Sequence, residues 1–406
     1  PKKNAKKGDL LFCVRGSTTG RMNWADKEYA IGRGLASLRH KNGMKYQQYL
    51  KAVIAYKLPN LLLSATGSTF PNVSRSQLNT LTINIPPLPE QKAISHILGT
   101  LDEKIELNRR MNATLEQMAH TLFKSWFVDF DPVIDKALAA GNPIPEPLQK
   151  RAEKRKALGD KRKPLPENIQ KLFPDAFEFS EELDKWVPKG WEVCSINEIA
   201  EVIGGGTPST KIEEYYCQDG IPWLSPKDLS GYEWKFISKG ATDITNLGLQ
   251  KSSARLMPKG TVLFSSRAPI GYIAIAENEI STNQGFKSLV PKNKMASNYL
   301  FYFLKTNLTD IEAIATGSTF KEVSGSAIKN FKILIPFPNV IEHFEMKTQE
   351  FDAKQLIIQK EVKSLTNIRN TLLPKLISSE IRIPEAKTIL REEANIDIAA
   401  EERANY

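Results

Sequence analysis

The sequence predicts an α+β protein in which two similar, β-rich domains are separated by two long coiled-coil helices, the first domain lacking its N-terminal part. Three observations carry that prediction. Residues 65–86 read ATGSTFPNVSRSQLNTLTINIP and residues 315–336 read ATGSTFKEVSGSAIKNFKILIP, identical at 12 of 22 positions at a constant offset of 250. Upstream, KGDLLF at residues 7–12 answers KGTVLF at 259–264, and Arg15 answers Arg267. A repeat on this scale is a duplicated domain rather than a short solenoid period. After each copy the apolar spacing lengthens from two to about 3.5 residues. Finally, the 70 or so residues before position 259 have no counterpart ahead of the first copy.

In chain order, residues 1–88 form the truncated first domain, which ends on a proline-marked strand, Ile83-Asn84-Ile85-Pro86. Residues 89–127 form the first long helix, with an apolar stripe of Ile94, Leu98, Leu101, Ile105, Leu115, Met118, Leu122 and Trp126 and polar Asn108 and Asn112 in the same seam. A buried Asn in such a seam fixes register at some cost in stability. Residues 128–186, rich in proline and charge, read as a connector. Within them, residues 150–163 (KRAEKRKALGDKRK) read as a solvated helix or linker, with a phosphate-contacting patch as the alternative.

Residues 187–339 form the second domain. There, residues 261–275 alternate short apolar runs with Pro269 and Gly271, a strand–turn–strand pattern, while residues 298–307, like 45–57 in the first domain, carry helical spacing. Residues 340–380 form the second long helix, with Phe344, Phe351, Ile358, Val362, Leu365, Ile368, Leu372 and Leu376 as its stripe. Two stripes of equal length following equivalent domains are expected to seal each other, the alternative being two surface helices packed on separate domains. At 1.5 Å per residue the first helix spans about 57 Å. Residues 381–406 read as an acidic tail. With the first domain starting so late and no initiating methionine, the sequence reads as a fragment or the product of a truncated gene.

With 406 residues, 25% of them charged and 41% hydrophobic, the composition is that of a soluble multidomain protein, and the net charge of +10 favours a polyanionic partner. The three cysteines are far apart, which argues against a zinc site or disulfide framework and fits a cytoplasmic location. Neither a membrane-spanning run nor a secretion signal is visible.

Catalytic signatures are absent. Gly204-Gly205-Gly206-Thr207-Pro208-Ser209-Thr210-Lys211 lacks phosphate-loop spacing. No GxGxxG follows a strand, the Asn142-Pro143 dipeptide lacks the aromatic of an amino-methyltransferase motif, and the four histidines are solitary. Glu361 and Lys363, in an ExK pattern, point apart on a helix. The chain is therefore expected not to be an enzyme.

Recognition features are better supported. Arg15 and Arg267 end equivalent strands and enter small-residue turns, Ser17 and Thr18 lying in the first; such an arginine can bond guanine in a groove, or can serve phosphate or an internal ion pair. Arg21 and Arg33 are not shared between the copies (Arg33 aligns with Gln284), which suits base reading. Gly67, Ser68 and Thr69, with Gly317, Ser318 and Thr319, offer hydroxyls and close backbone approach for phosphate positioning, or a tight turn before a helix. Gly205, Gly206, Thr207, Ser209, Lys227 and Lys321 complete the candidate DNA-binding set.

These motifs converge. ATGSTF followed by I-x-I-P, then Pro87-Leu88-Pro89-Glu90-Gln91-Lys92 opening a long helix, resembles the specificity subunit of type I restriction–modification enzymes; so do Gly204-Gly205-Gly206-Thr207-Pro208-Ser209, Trp223-Leu224-Ser225-Pro226-Lys227-Asp228-Leu229 and Leu372-Leu373-Pro374-Lys375-Leu376. The resemblance covers nearly the whole chain. It implies two target recognition domains on an antiparallel helix pair whose interface is built by Ile94, Leu98, Leu101, Ile105, Leu115, Leu122, Phe351, Ile358, Val362, Leu365 and Leu372. It implies double-stranded DNA as the target, read as two half-sites across a nonspecific gap. It also implies two docked methyltransferase subunits and further restriction (translocase) subunits. S-adenosylmethionine, ATP and magnesium would then belong to those partners, and none to this chain. The competing readings are a silent recognition cassette, a single-chain enzyme with an unrecognised motif, and an RNA-binding module, the last disfavoured by the lack of aromatic RNA-binding strands.

Overall fold

A computed structural model of the chain describes residues 4–65, 71–159, 165–292, 296–317 and 321–396. The chain forms two compact units, one of residues 1–111 with 358–406 and one of residues 112–357. Both long helices, Leu88–Phe127 and Pro338–Ile377, contribute part of their length to each unit.

In the first unit, Leu10–Cys13 runs antiparallel to both Met22–Trp24 and Leu35–Leu38, and Asn4–Ala5 pairs with Tyr29–Ala30. The period-two alternation of the central strand turns Leu10 and Phe12 inward. They pack with Ile54 and Leu61 of the helix Gln47–Leu63 and with Val73. Beside them the fully buried carboxylate of Asp9 accepts from the guanidinium of Arg39, the hydroxyl of Ser37 and the backbone N–H of Lys6. Burial pushes this carboxyl up, but those donors outweigh it and hold it below the usual carboxylate range.

The second unit repeats the same three strands in the same order: Ile270–Ala276, Val262–Ser266, Lys287–Pro291. Here the sheet grows to five strands. Phe236–Ile237 adds to one edge and Ala200–Gly204 to the other, both from the segment without a counterpart in the first copy. Helix Ser297–Thr306 corresponds to Gln47–Leu63, and Gly325–Asn330 corresponds to Arg75–Asn79.

That extra segment overturns one expectation. In the second copy the I-x-I-P stretch is a strand, Lys332–Ile335, because Glu192–Ser195 pairs with it along its length. In the first copy residues 81–87 form no strand, and Ile85 is exposed. A strand needs a ladder partner for its N–H and C=O groups, and among the described residues of the first unit nothing supplies one.

The long helices pair with each other, as the periodicity predicts, and antiparallel, as the resemblance implies. In the first unit Asp102 meets Arg369 at 3.0 Å and Lys104 meets Glu361 at 3.0 Å, so rising numbers on one helix meet falling numbers on the other. In the second unit the Phe344 ring packs against Phe123 and Phe127, with centroids 5.8 and 5.1 Å away, and Gln355 lies 3.5 Å from the carbonyl oxygen of Asn112. Ile94, Leu98, Leu101, Ile105, Ile358, Val362, Leu365 and Leu372 are buried. Leu115, Leu122 and Phe351 are only half buried, and Met118 is exposed. The buried apolar positions beyond Asn112 are the expected Trp126 together with Ala119, Phe123 and Phe127. Phe123 and Phe127, neighbours of the expected positions, are the ones drawn inward, where they pack on Phe344 and Tyr299. Asn108 and Asn112 do lie buried in that seam.

The expected connector is a folded part of the second unit. Asp131–Ala140 and Glu146–Ala157 are helices, followed by a hairpin of Phe177–Ser180 and Lys185–Pro188. Phe130, Val133 and Phe173 join the core that contains Phe123, Trp126 and Phe344. The missed signal was local: Phe130, Val133, Ile134 and Ala137 fall at helical spacing. The tail is also partly structured, as helix Ile383–Ala394 with Ala386 and Leu390 buried. Among the described residues, no helix is long and apolar enough to cross a membrane.

Candidate functional site

Antiparallel pairing decides which loops meet. In the first unit the strand Leu10–Cys13 ends where Met22–Trp24 and Leu35–Leu38 begin. The backbone bonds continue past the strands, from Cys13 N–H to the Arg21 carbonyl at 2.9 Å and from Val14 N–H to the Gly34 carbonyl at 2.9 Å. Arg15, Arg21 and Arg33, 18 positions apart in sequence from first to last, are thereby gathered at one end of a three-stranded sheet. All three are exposed, and none has an ion-pair partner among the described residues. The turn between the first two strands carries Ser17 and Thr18 and is closed by Gly16 and Gly20, both with positive φ. Gly20 also packs so closely on Leu58 that a Cβ would lie 2.9 Å from it. Thr19 ties this turn to the neighbouring loop, its hydroxyl donating to the carbonyl of Pro71 at 2.8 Å. Gly67, Ser68, Thr69, Ser318 and Thr319 lie outside the described residues.

The same geometry builds the second unit's sheet end with different chemistry. Gly204 pairs with Lys287, which sets the loop carrying Gly205, Gly206, Thr207 and Ser209 beside Gln284; the Thr207 hydroxyl hydrogen-bonds the Gln284 amide. Gly205 and Gly206 approach the backbones of Asn283 and Ser253 so closely that a Cβ at either would clash. Asn283 N–H donates to Leu224 at 2.8 Å, and Pro226 packs on Gly285, bringing exposed Lys227 to the same end. Arg267 also arrives there, but its guanidinium lies 3.2 Å from Glu322, which Lys287 contacts at 3.1 Å. These two cations overcome the effect of partial burial and hold the Glu322 carboxyl below its ordinary range. The Glu322 backbone bridges to Thr316, which precedes Gly317 with its φ of 124°, and exposed Lys321 precedes Glu322 in the chain. Where Glu322 stands the first copy has Asn72, and where Lys287 stands it has Ala36. One sheet end therefore presents arginines without carboxylates; the other presents amides, hydroxyls and a neutralised arginine.

The basic run at residues 150–163 is partly spent internally. Arg151 and Arg155 reach the buried carboxylates of Asp131 and Asp135, a pair of acids four apart matched by a pair of arginines four apart. Burial raises the Asp131 carboxyl, but Arg151, Ser125 and Arg155 outweigh it and hold it below the usual carboxylate range. Lys150, Lys154 and Lys156 stay exposed.

Sequence reading missed one cluster, which lies where the second domain's helix meets the long helices. Lys235 is almost wholly buried, 2.6 Å from Asp352 and bonded to Asn298, with the Tyr302 hydroxyl at 3.3 Å. Glu116 accepts from Tyr302 at 2.9 Å and from Lys305 at 2.7 Å. Glu345, in the same region, accepts the backbone N–H of Tyr299 at 2.7 Å and of Asn298 at 3.3 Å. Burial pushes the Glu345 carboxyl up to about 8, against the pull of those two N–H groups and of Lys235. The partners lie between 46 and 189 residues apart in sequence, so no local pattern announces them.

Among the described residues no group of three or more His, Cys, Asp or Glu side chains is placed to hold a metal ion.

Comparison with known proteins adds a family. The family described as "Type I restriction modification DNA specificity domain" matches residues 1–117 and 188–378. The HindI specificity subunit of Haemophilus influenzae is 28% identical over 406 residues, covering 94% of this chain and 88% of that protein. The MjaIX specificity subunit of Methanocaldococcus jannaschii is 48% identical over 164 residues, which is 40% of this chain and only 37% of that protein's length. Among solved structures, a type I restriction–modification S subunit from M. genitalium superposes with a TM-score of 0.48 at 18% identity, over 92% of this chain and 83% of that one.

Proposed function

We propose, because the chain belongs to the type I restriction–modification DNA specificity family, that it is the non-catalytic reader of a bipartite double-stranded DNA target. In this reading the sheet end with Arg15, Arg21 and Arg33 meets one half-site, and the end with Thr207, Lys227, Gln284 and Lys321 meets the other. The observation that carries it is the duplicated strand-end geometry, which delivers unlike side chains to equivalent places. That is what two readers of different sequences need, since base edges are distinguished by donor and acceptor patterns while phosphates are alike. Arginines without carboxylates suit guanine or phosphate; amides and hydroxyls suit adenine.

The 40-residue helices serve as the spacer. At about 60 Å each, such a rod matches about 18 base pairs at 3.4 Å per step. Their outer faces would dock two methyltransferase subunits, and restriction subunits would join that assembly. Adenine methylation and ATP-driven cleavage belong to those partners, as do S-adenosylmethionine, ATP and magnesium.

The test is co-expression with methyltransferase subunits, followed by mapping of methylated adenines and binding to the mapped motif against a scrambled duplex. A defined two-part motif, bound in preference to the scramble by the complex and weakly by the chain alone, is the expected result. Equal affinity for both duplexes in the complex rejects the reading. In that complex, Arg33→Ala should relax recognition within one half-site by about 1–3 kcal/mol and leave the other unchanged.

A further inference from the structure

We propose that each reading domain is oriented on the helix pair by a two-point docking motif, two side chains seven residues apart on a long helix: Ser95 and Asp102 for the first copy, Glu345 and Asp352 for the second. The proposal rests on the functional reading above and deepens it by naming the positioning residues.

The first point takes a helix N-terminus. The opening N–H groups of an α-helix have no partner within the helix. In the first unit the N–H of Tyr49, third residue of Gln47–Leu63, donates to the Ser95 hydroxyl oxygen at 2.9 Å. In the second, the N–H of Tyr299, third residue of Ser297–Thr306, donates to Glu345 at 2.7 Å. The offset of 250 relates both donors and both acceptors, so the duplicated contact is present in both copies with a hydroxyl oxygen as acceptor in one and a carboxyl oxygen in the other.

The second point takes a cation from the reading domain. Asp102 accepts from Lys51 of the docked helix at 2.5 Å and also meets Arg369 of the other long helix at 3.0 Å. Asp352 binds Lys235 at 2.6 Å and accepts from the Asn298 side chain at 2.8 Å. Glu116 of the other long helix closes the second assembly through Tyr302 and Lys305. A step of seven residues is two helical turns, so both acceptors share one face. One contact would leave the docked helix free to pivot; two contacts separated by about 10 Å along the rod fix its direction, and with it the aim of the attached sheet end. Lys235 comes from the segment unique to the second copy, whereas the first copy draws its cation from the docked helix itself. The two domains thus reach the same kind of anchorage by different routes.

The experiment uses the full chain in complex with methyltransferase subunits, on duplexes carrying the mapped motif with its native gap or a gap one base pair longer or shorter. The readout is the ratio of methylation rates, native gap over altered gap. Asp352→Asn should lower this ratio about tenfold, and the more exposed Asp102→Asn about threefold, with both half-site sequences unchanged. Glu345→Gln, which keeps an acceptor oxygen, should retain the wild-type ratio, and Glu345→Ala should lose it. Should Asp352→Asn not fold, Asp102→Asn carries the test. A ratio unchanged in the folded aspartate variants overturns the proposal, as do rates that fall equally at all gaps in step with thermal stability. Should the wild-type complex methylate no defined motif, the functional reading fails by itself. Amide exchange then decides the docking motif: Asp352→Asn must speed exchange in residues 297–306 more than in 262–266, and equal change in both rejects it.

Discussion

The two copies of the repeated core share strand order and a helix behind the sheet, yet one is a three-stranded sheet and the other a five-stranded one. The same I-x-I-P motif is a buried strand in the second copy and irregular chain in the first. Local sequence is nearly constant across this pair, so the difference lies in the neighbours. A β-prone segment acquires its structure from the strand beside it, because its backbone groups are satisfied only across a ladder.

The largest test of this comparison is at the seam. Phe344 and its counterpart Ile94, 250 positions earlier, are both fully buried. Phe344→Ala should cost about 3–5 kcal/mol and Ile94→Ala about 2–5 kcal/mol, read by chemical denaturation with amide exchange reporting each unit. A loss below about 1 kcal/mol at either site would mean that the corresponding helix face is not packed.

The motif itself gives the sharper contrast. Ile333, buried in the paired strand, should lose about 2–4 kcal/mol on substitution by Ala, whereas Ile83 in the unpaired copy should lose less than about 1 kcal/mol. Equal losses would show that the first copy's segment has found a partner strand.

Acid and base should separate the units. Asp9 in the first is held below its ordinary pKa, so its contribution is present above about pH 4 and is lost as pH falls through the lower folded value. Glu345 in the second is raised to about 8, so its contribution is complete below about pH 4.5 and is lost as pH rises through about 8. Amide exchange between pH 3 and 5 should therefore loosen residues 10–13 first, and between pH 6 and 9 residues 297–306 first. Glu345→Gln should flatten the alkaline limb, and an unchanged limb would assign it to another group.

The smallest effect concerns the strand-end arginines. Glu322→Gln frees Arg267 and Lys287, and should shift stability by only about 0–1 kcal/mol. The salt dependence of DNA binding by the complex should steepen by about one counterion or more. No change in that slope would mean the sheet end lies away from the phosphates.

Much of this architecture is legible in one sequence. The repeat announces a duplicated domain, and the change of apolar period marks both long helices within three residues of their observed ends. The small-residue turns flag loops that the sheets then gather. What failed did so for identifiable reasons. Residues 128–186 look like a linker because charge dominates their composition, although their apolar positions are helically spaced and their arginines answer two buried aspartates. The stripe through Leu115, Met118 and Leu122 misplaces the seam because there the helix enters an aromatic core, and Phe123 and Phe127 turn inward onto Phe344.

By itself, then, the sequence determined that a core occurs twice and that a long helix follows each copy, since periodicity and repetition are properties of the chain alone. Tertiary structure alone decided which loops share a sheet end, which copy of the I-x-I-P segment becomes a strand, and which acids receive Lys235 and the helix N-termini. Each of those outcomes depends on groups many residues apart meeting in space, and hydrogen-bond satisfaction and burial are settled only there.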